Sequence, residues 1–454
     1  MPPISKTRAV CFTSVFLLML TASALPAWAQ PQTLPKASPG QVLTLEQSVA
    51  WALQNNPELA VYRQQRGIAQ AGVVIARTYP FNPVWGSAVM GVSPPPGENV
   101  TNRVFNQHTL AQELELRKQG RIRCALATAA LSRVEWEIAA QEQLLAVHTI
   151  RAFHGYVYNQ EKLRVLEETI RLQEQTSKQV KQLVDQGIKL KAADFMFARS
   201  DELEARAQRG SRQTQAVVAW HELRRLMGVQ KEIVEVNGKL PSGIPEESPD
   251  QWMQIAFQHR PDLQAIHLAY LEAEQRERLE IANRFGNPSI GTKTEYNESR
   301  VAFIGGTVEF RVPVFNTKRG EILQRQAEKI KVMLDRQRLE IRINQEILAA
   351  MDRLKEAKKW VDSLETEILP TLRKTMADFD RLFAQGEVDV LRLIEVRRRY
   401  LRSRDSYFDA LWELNQARAD LAAAVGDFRL ATGAPGIRNQ ESGIRNQESG
   451  VSGP

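Results

Sequence analysis

The chain has 454 residues, of which 43% are hydrophobic and 25% are charged. This composition is typical of a folded protein and excludes global disorder. The formal net charge is only +7, and no recognisable module concentrates basic residues on one face, so nucleic-acid binding is not indicated. The cysteines are Cys11 and Cys124. Because Cys11 lies in a predicted leader segment, we expect the mature chain to fold without an internal disulfide.

The first 29 residues predict a secretory signal peptide. Lys6 and Arg8 precede an apolar run from Val10 to Leu20, and Ala27-Trp28-Ala29 has the pattern of a cleavage site. A membrane anchor is disfavoured because the run is well short of about 18 residues. We therefore expect an exported protein with an N-terminal extension over residues 30–42. No later stretch is apolar enough for a transmembrane helix, so entry into a membrane would require strands.

Two long tracts are almost free of proline and predict very long helices. Proline is absent between Pro96 and Pro241, and only Pro370 interrupts the tract between Pro313 and Pro435. Proline costs about 3 kcal/mol inside a helix, and both tracts are rich in strong helix formers. A helix over residues 118–185 would reach about 100 Å, far beyond the needs of an ordinary globular domain.

The chain also repeats its landmarks in the same order at a spacing of about 200 residues, which indicates an internal duplication. The paired landmarks are capping boxes at Thr44 and Ser248, then Asn56–Leu59 and Arg260–Leu263, Phe81–Pro83 and Phe285–Pro288, Leu183–Gly187 and Leu382–Gly386, and Leu226–Gly228 and Ala424–Gly426. We therefore predict a first repeat over 43–228, a linker over 229–248 and a second repeat over 249–430. Residues 431–454 repeat Gly-Ile-Arg-Asn-Gln-Glu-Ser in tandem and predict a disordered tail.

Each half is predicted to run helix, strand, strand, long helix, turn, long helix. Residues 301–312 alternate strictly between apolar and more polar positions, which favours a barrel strand with Ile304, Val308, Phe310 and Val312 facing lipid. The other predicted strands are 289–296, 84–92 and 104–114. The alternative reading, four irregular linkers, is disfavoured because both halves have these segments at the same point.

This succession resembles the TolC-type outer-membrane efflux family from Leu43 to Gly426. The resemblance depends on Leu45–Leu53 with Asn56–Leu59, on the junction from Gln112 to Arg121, and on the junction Val312–Gly320. The last junction is most similar to the heavy-metal branch, the cobalt–zinc–cadmium type. The resemblance implies a mainly α, internally duplicated TolC-like fold with a small β part. It also implies a homotrimer whose twelve strands form one outer-membrane barrel in lipid above a long periplasmic helical tunnel.

Further expectations concern partners and function. The family works with a periplasmic adaptor and an inner-membrane pump, without a cofactor, as a passive duct. By resemblance the hairpin tips that meet the adaptor are Gln186, Gly187, Gln385 and Gly386. The periplasmic gate would include Asp194, Arg392 and Glu395, although Arg392 departs from the acidic residue common there. Ordinary salt bridges at Asp194 and Glu395 remain an open alternative. The expected cargo is heavy-metal cations, and the alternatives are a drug or type I secretion duct, or a periplasmic coiled-coil scaffold.

Several chemical motifs were considered and are not favoured. His221-Glu222 lacks the second histidine of a zinc-protease motif. His148 and His154 lie on different faces of one predicted helix and are expected to be satisfied or exposed. The basic run Arg397–Arg399, with Arg402 and Arg404, is expected to pair with nearby carboxylates and not with nucleic acid. No candidate nucleophile or metal site occurs, so no enzymatic activity is expected.

Overall fold

The computed structural model describes residues 41–432, apart from residues 92, 94–95, 98–103, 188–190, 230–233, 246–247, 298, 300 and 386. The predicted signal peptide, the extension up to residue 40, the tail from residue 433 and Gly386 therefore lie outside the described residues. The same succession of elements occurs twice along the chain. The first comprises α1 (Leu45–Asn55), α2 (Pro57–Arg77), β2 (Val84–Gly91), β3 (Val104–Glu113), α3 (Gln119–Asp185) and α4 (Ala192–Met227), and the second α5 (Pro249–His259), α6 (Pro261–Ala282), β5 (Ser289–Tyr296), β6 (Ala302–Glu309), α7 (Arg319–Asp362), α8 (Leu369–Ala384) and α9 (Val390–Val425).

The short helix predicted at the start of each half is in fact two helices. Both capping boxes form as predicted, with Gln47 returning to Thr44 and Gln251 to Ser248. The break follows from Pro57 and Pro261 at the first position of the second helix, because proline disfavours helical backbone in the residue before it. Asn56 and Arg260 accordingly have extended ψ angles of 122° and 120°.

These breaks are contact points between helix ends. The Asn56 side chain accepts from the Leu59 amide (2.9 Å) and donates to the Leu226 carbonyl (2.8 Å), so it joins the start of α2 to the end of α4. In the second half Arg260 donates to the Ala424 carbonyl (2.7 Å) and joins α6 to α9 in the same way. The paired sequence landmarks thus meet in space.

The long helices form two hairpins, α3–α4 and α7–α9. The 67 residues of α3 are unbroken, as expected. The expectation of an equally continuous helix in the second half is wrong, because a π-helical segment, Ser363–Ile368, separates α7 from α8. Its cause is Pro370, whose ring would clash with the carbonyl of Thr366 in a regular helix.

The four predicted strands are confirmed and form one antiparallel sheet in the order β2-β3-β5-β6. Strand β6 is shorter than predicted, because its last paired residue, Glu309, faces the first residue of β5, Ser289. Phe310 and Val312 therefore lie beyond the strand, just before Pro313, which cannot donate to a sheet. Two short strands not predicted from the sequence, β1 (Gln41–Leu43) and β4 (Val234–Val236), pair in parallel and tie the linker to the chain start.

The main core lies where α3, α5, α7 and α9 meet. Its largest buried side chains include Trp252, Ile343, Ile347 and Leu414. A 3₁₀ helix, Phe428–Thr432, folds back on α9 and buries Ala431. The predicted start of the tail at residue 431 is therefore two residues too early.

Candidate functional site

One face of the four-stranded sheet has no acidic residue, lysine or arginine among the described residues. Directly paired residues point to the same side of a sheet, and the register aligns Ile304 with Thr294, His108 and Ser87. Apolar side chains dominate this face and are exposed, Ile304 by 83%. The face includes Trp85, Val89, Leu110, Ile290, Tyr296, Ala302, Ile304 and Val308.

The opposite face has the charged side chains of the sheet. Lys293 and Glu295 form an ion pair there (3.2 Å), and Glu113 and Glu309 lie on the same side. The two faces therefore differ as a sheet between a hydrocarbon phase and water requires. Of the four residues predicted to face lipid, Ile304 and Val308 lie on the uncharged face. Phe310 and Val312 are also exposed but belong to the segment after β6.

Both long hairpins turn at the predicted positions. Gln186 caps the end of α3, and Gly187 follows with φ +71°, a conformation that glycine adopts without strain. Gln385 caps the end of α8, and Gly386 lies outside the described residues. The two turns belong to one end of the molecule, because Val180, Ala198 and Val390 form one buried cluster close to them.

The three predicted gate residues do not pair with one another. Asp194 accepts a hydrogen bond from the Lys191 amide (2.8 Å) at the start of α4, and Glu395 pairs with Arg399 one turn further along α9. Arg392 is exposed on α9. In the single chain the carboxylates thus have local partners, which is the ordinary alternative considered from the sequence, and a gating role stays a prediction.

The architecture and the sequence can now be compared with known proteins. Residues 49–229 match the sequence profile of the outer membrane efflux protein family. This segment belongs to that family. No protein of curated function matches the chain in sequence.

Solved channel structures share the fold over nearly the whole efflux protein. Structures of CusC, described in terms of folding and transmembrane channel formation, superpose with a TM-score of 0.69 at 17% identity, covering 88% of this chain and 98% of theirs. The outer-membrane channel OprN gives 0.67 at 15% identity, with 87% and 98% covered. The Campylobacter jejuni CmeC outer membrane channel gives 0.65 at 15% identity, with 84% and 85% covered.

The basic run on α9 of this efflux protein pairs across helices. Arg397 reaches Asp380 on α8 (2.6 Å) and Arg398 reaches Asp201 on α4 (2.6 Å), while Arg404 pairs with Glu168 on α3. The expectation of carboxylate partners is confirmed, but most partners are distant in sequence. These pairs link α9 to every other helix of the two hairpins.

Histidines within the efflux-protein segment have different surroundings. His221 is exposed, and His148 lines a cavity of about 630 Å³ between α3, α4 and α9. His154 is buried with both ring nitrogens unpartnered, so the expectation that it would be satisfied or exposed is wrong. Within the described ranges, no cluster of three histidine, cysteine or acidic side chains is arranged to hold a metal ion. No helix in the described part of the chain has the length and apolar content needed to cross a bilayer.

Proposed function

We propose that this protein is the outer-membrane channel of a tripartite efflux system, exported through residues 1–29. The observation that supports it best is the junction of the small sheet with the long hairpins. The sheet has one face without acidic, lysine or arginine side chains. The hairpins begin directly after its strands, and the 67 residues of α3 correspond to about 100 Å. A lipid-exposed sheet above a long periplasmic stem fits a duct that bridges the periplasm.

Open edges support assembly as a homotrimer. Strands β2 and β6 each pair on one side only, and in lipid every backbone polar group needs a partner. Four strands are too few to close a barrel, whereas β6 of one copy can pair with β2 of the next. Three copies would give twelve strands without a free edge.

Two helices next to those edges have exposed apolar stripes. On α2, which leads into β2, Val61, Ile68 and Ile75 are exposed at intervals of seven residues. On α7, which follows β6, Leu323, Ile330, Leu334, Ile341 and Leu348 form a similar stripe. Repeats of seven residues are typical of helices that pack side by side. We propose that α7 of one copy covers α2 of the next, below the shared strand edge.

The proposed adaptor contacts are the hairpin tips at Gln186, Gly187, Gln385 and Gly386. The proposed gate includes Asp194, Arg392 and Glu395, since three symmetry copies of a carboxylate would sum their field at the axis of a trimer. Transport is passive, and an inner-membrane pump supplies the energy. We propose heavy-metal cations as the cargo, on the basis of the junction Val312–Gly320.

A deletion strain tests this function in two steps. Fractionation should recover the protein from the outer membrane as a trimer, and recovery as a soluble periplasmic monomer would refute the channel. The deletion should raise sensitivity to zinc, cobalt or cadmium salts, and the wild-type gene should restore resistance. If sensitivity rises only for drugs, the channel proposal stands and the metal cargo is wrong.

A further inference from the structure

Three lysine or arginine side chains of the described residues are buried, and only two of them have a counter-ion. Lys162 pairs with Asp405 (2.6 Å) and Arg260 with Asp262 (2.7 Å). Arg418 on α9 is 3% exposed, and no side chain or carbonyl of the described residues bonds or ion-pairs with it. A guanidinium group stays protonated in proteins. Its positive charge is therefore buried without compensation from the protein.

Contacts between α3 and α9 show what lies opposite Arg418. Three of them step along this antiparallel pair and set its register: Tyr158 with Asp409, Gly155 with Trp412, and Arg151 with Asp420. In this register His154 faces the turn of α9 that includes Arg418. The positive charge of Arg418 is accordingly one of the two causes that lower the pKa of His154.

The linker between the repeats covers this part of the α3–α9 interface. Gly238 packs against the Phe153 ring, where a side chain at position 238 would clash. Three residues further on, the Pro241 carbonyl accepts a hydrogen bond from Asn415 (3.0 Å), one turn of α9 before Arg418. The surroundings of His154 and Arg418 are therefore closed on three sides, by α3, α9 and the linker.

His154 offers a second unused donor at the same place. It is 1% exposed, and neither ring nitrogen has a hydrogen-bond partner. Burial, followed by the charge of Arg418, lowers its pKa to about 3. The ring is therefore neutral near pH 7 and has one N–H to donate.

Nearby carboxylates are already engaged. Asp420 pairs with Arg151 and Arg353, and Glu413 pairs with Arg353 (2.5 Å). A water molecule would satisfy the hydrogen bonds of Arg418 but not its charge, and an unpaired buried charge costs several kcal/mol. A small anion satisfies both requirements.

We propose that Arg418 and His154 form a buried binding site for a small inorganic anion of the size of chloride, enclosed by α3, α9 and the linker. The anion accepts from a guanidinium N–H of Arg418 and from the His154 N–H. It stabilises the contact between the two repeats, because α3 belongs to the first and α9 to the second. The site does not depend on the channel function, and its test does not require transport.

The test compares thermal unfolding of the purified full-length protein in sodium chloride and in sodium gluconate at equal ionic strength. Gluconate is too large for an enclosed site between two side chains. Because a ligand that binds only the folded state raises its stability, wild-type protein should have a higher Tm in chloride. Arg418→Gln should abolish this difference, whereas the matched control Arg402→Gln, at an exposed position of the same helix, should retain it.

A second measurement does not depend on whether the Arg418 variant folds. Wild-type crystals soaked in bromide should give an anomalous peak between Arg418 and His154. Equal Tm values for the wild type in chloride and gluconate would refute the proposal. A chloride effect that persists in Arg418→Gln, or bromide peaks only elsewhere, would refute it as well.

Discussion

Replacing Ile304 with arginine tests whether the uncharged face of the sheet meets lipid. Ile304 lies within β6 and is 83% exposed. A charge near the middle of a bilayer costs about 2–4 kcal/mol. If three copies form one barrel, the cost is about 6–12 kcal/mol for each trimer. We therefore expect Ile304→Arg to reduce the trimer in the outer membrane strongly.

The neighbouring residue provides a matched control. Phe303 is also a large exposed apolar residue of β6, but its side chain points to the charged face, in register with Glu295. Phe303→Arg should assemble to nearly the wild-type level, because that face meets water. Quantitative blots of outer-membrane fractions, run as unheated and heated samples, would measure the trimer. Equal assembly of the two variants would refute the assignment of the two faces.

Three further predictions concern packing and stability. Gly228→Ala should lower Tm, at a cost of about 1–3 kcal/mol, because φ is +69° and a new Cβ would lie 2.4 Å from the Asn55 carbonyl; Gly210→Ala in α4, where space is open, should be neutral or stabilising. Ile68→Glu on the exposed stripe of α2 should shift detergent-solubilised protein from trimer to monomer in light scattering, and an unchanged trimer would contradict the proposed contact. Burial and the hydrogen bond to Asp409 raise the pKa of Tyr158 above its ordinary value of 10.0, so the folded state loses stability as pH rises past 10; Tyr158→Phe should flatten this loss in denaturant titrations, and an identical slope would argue against it.

Local patterns were sufficient to predict most elements of the fold. The alternation in β6 and its partner β5 depends on side-chain period alone, and the helix starts at Thr44 and Ser248 depend on residues three positions apart. The break at Asn56 could also have been predicted, because Pro57 restricts the residue before it.

Other features depend on residues far apart in sequence. Strands β1 and β4 have three residues each and form only because distant segments meet. The partner of Arg398 is Asp201, 197 positions away, so its identity follows from the packing of α9 on α4. The burial of His154 likewise depends on α9 and the linker, and nothing in its own helix indicates it. Gate and tip residues involve other copies or partners, which a single chain does not contain.

The contact that Asn56 makes between α4 and α2 has a mechanical consequence. The carbonyl end of α4 faces the amide end of α2, so the partial charges of the two helix ends oppose each other favourably, as within one helix. Both helices pack along the unbroken α3, which acts as a splint across the gap. A compressive load along the stem passes between α4 and α2 through one asparagine side chain and two glycine-sized backbones. The stem should therefore resist bending through α3, while its neighbouring rod is free to part at Asn56.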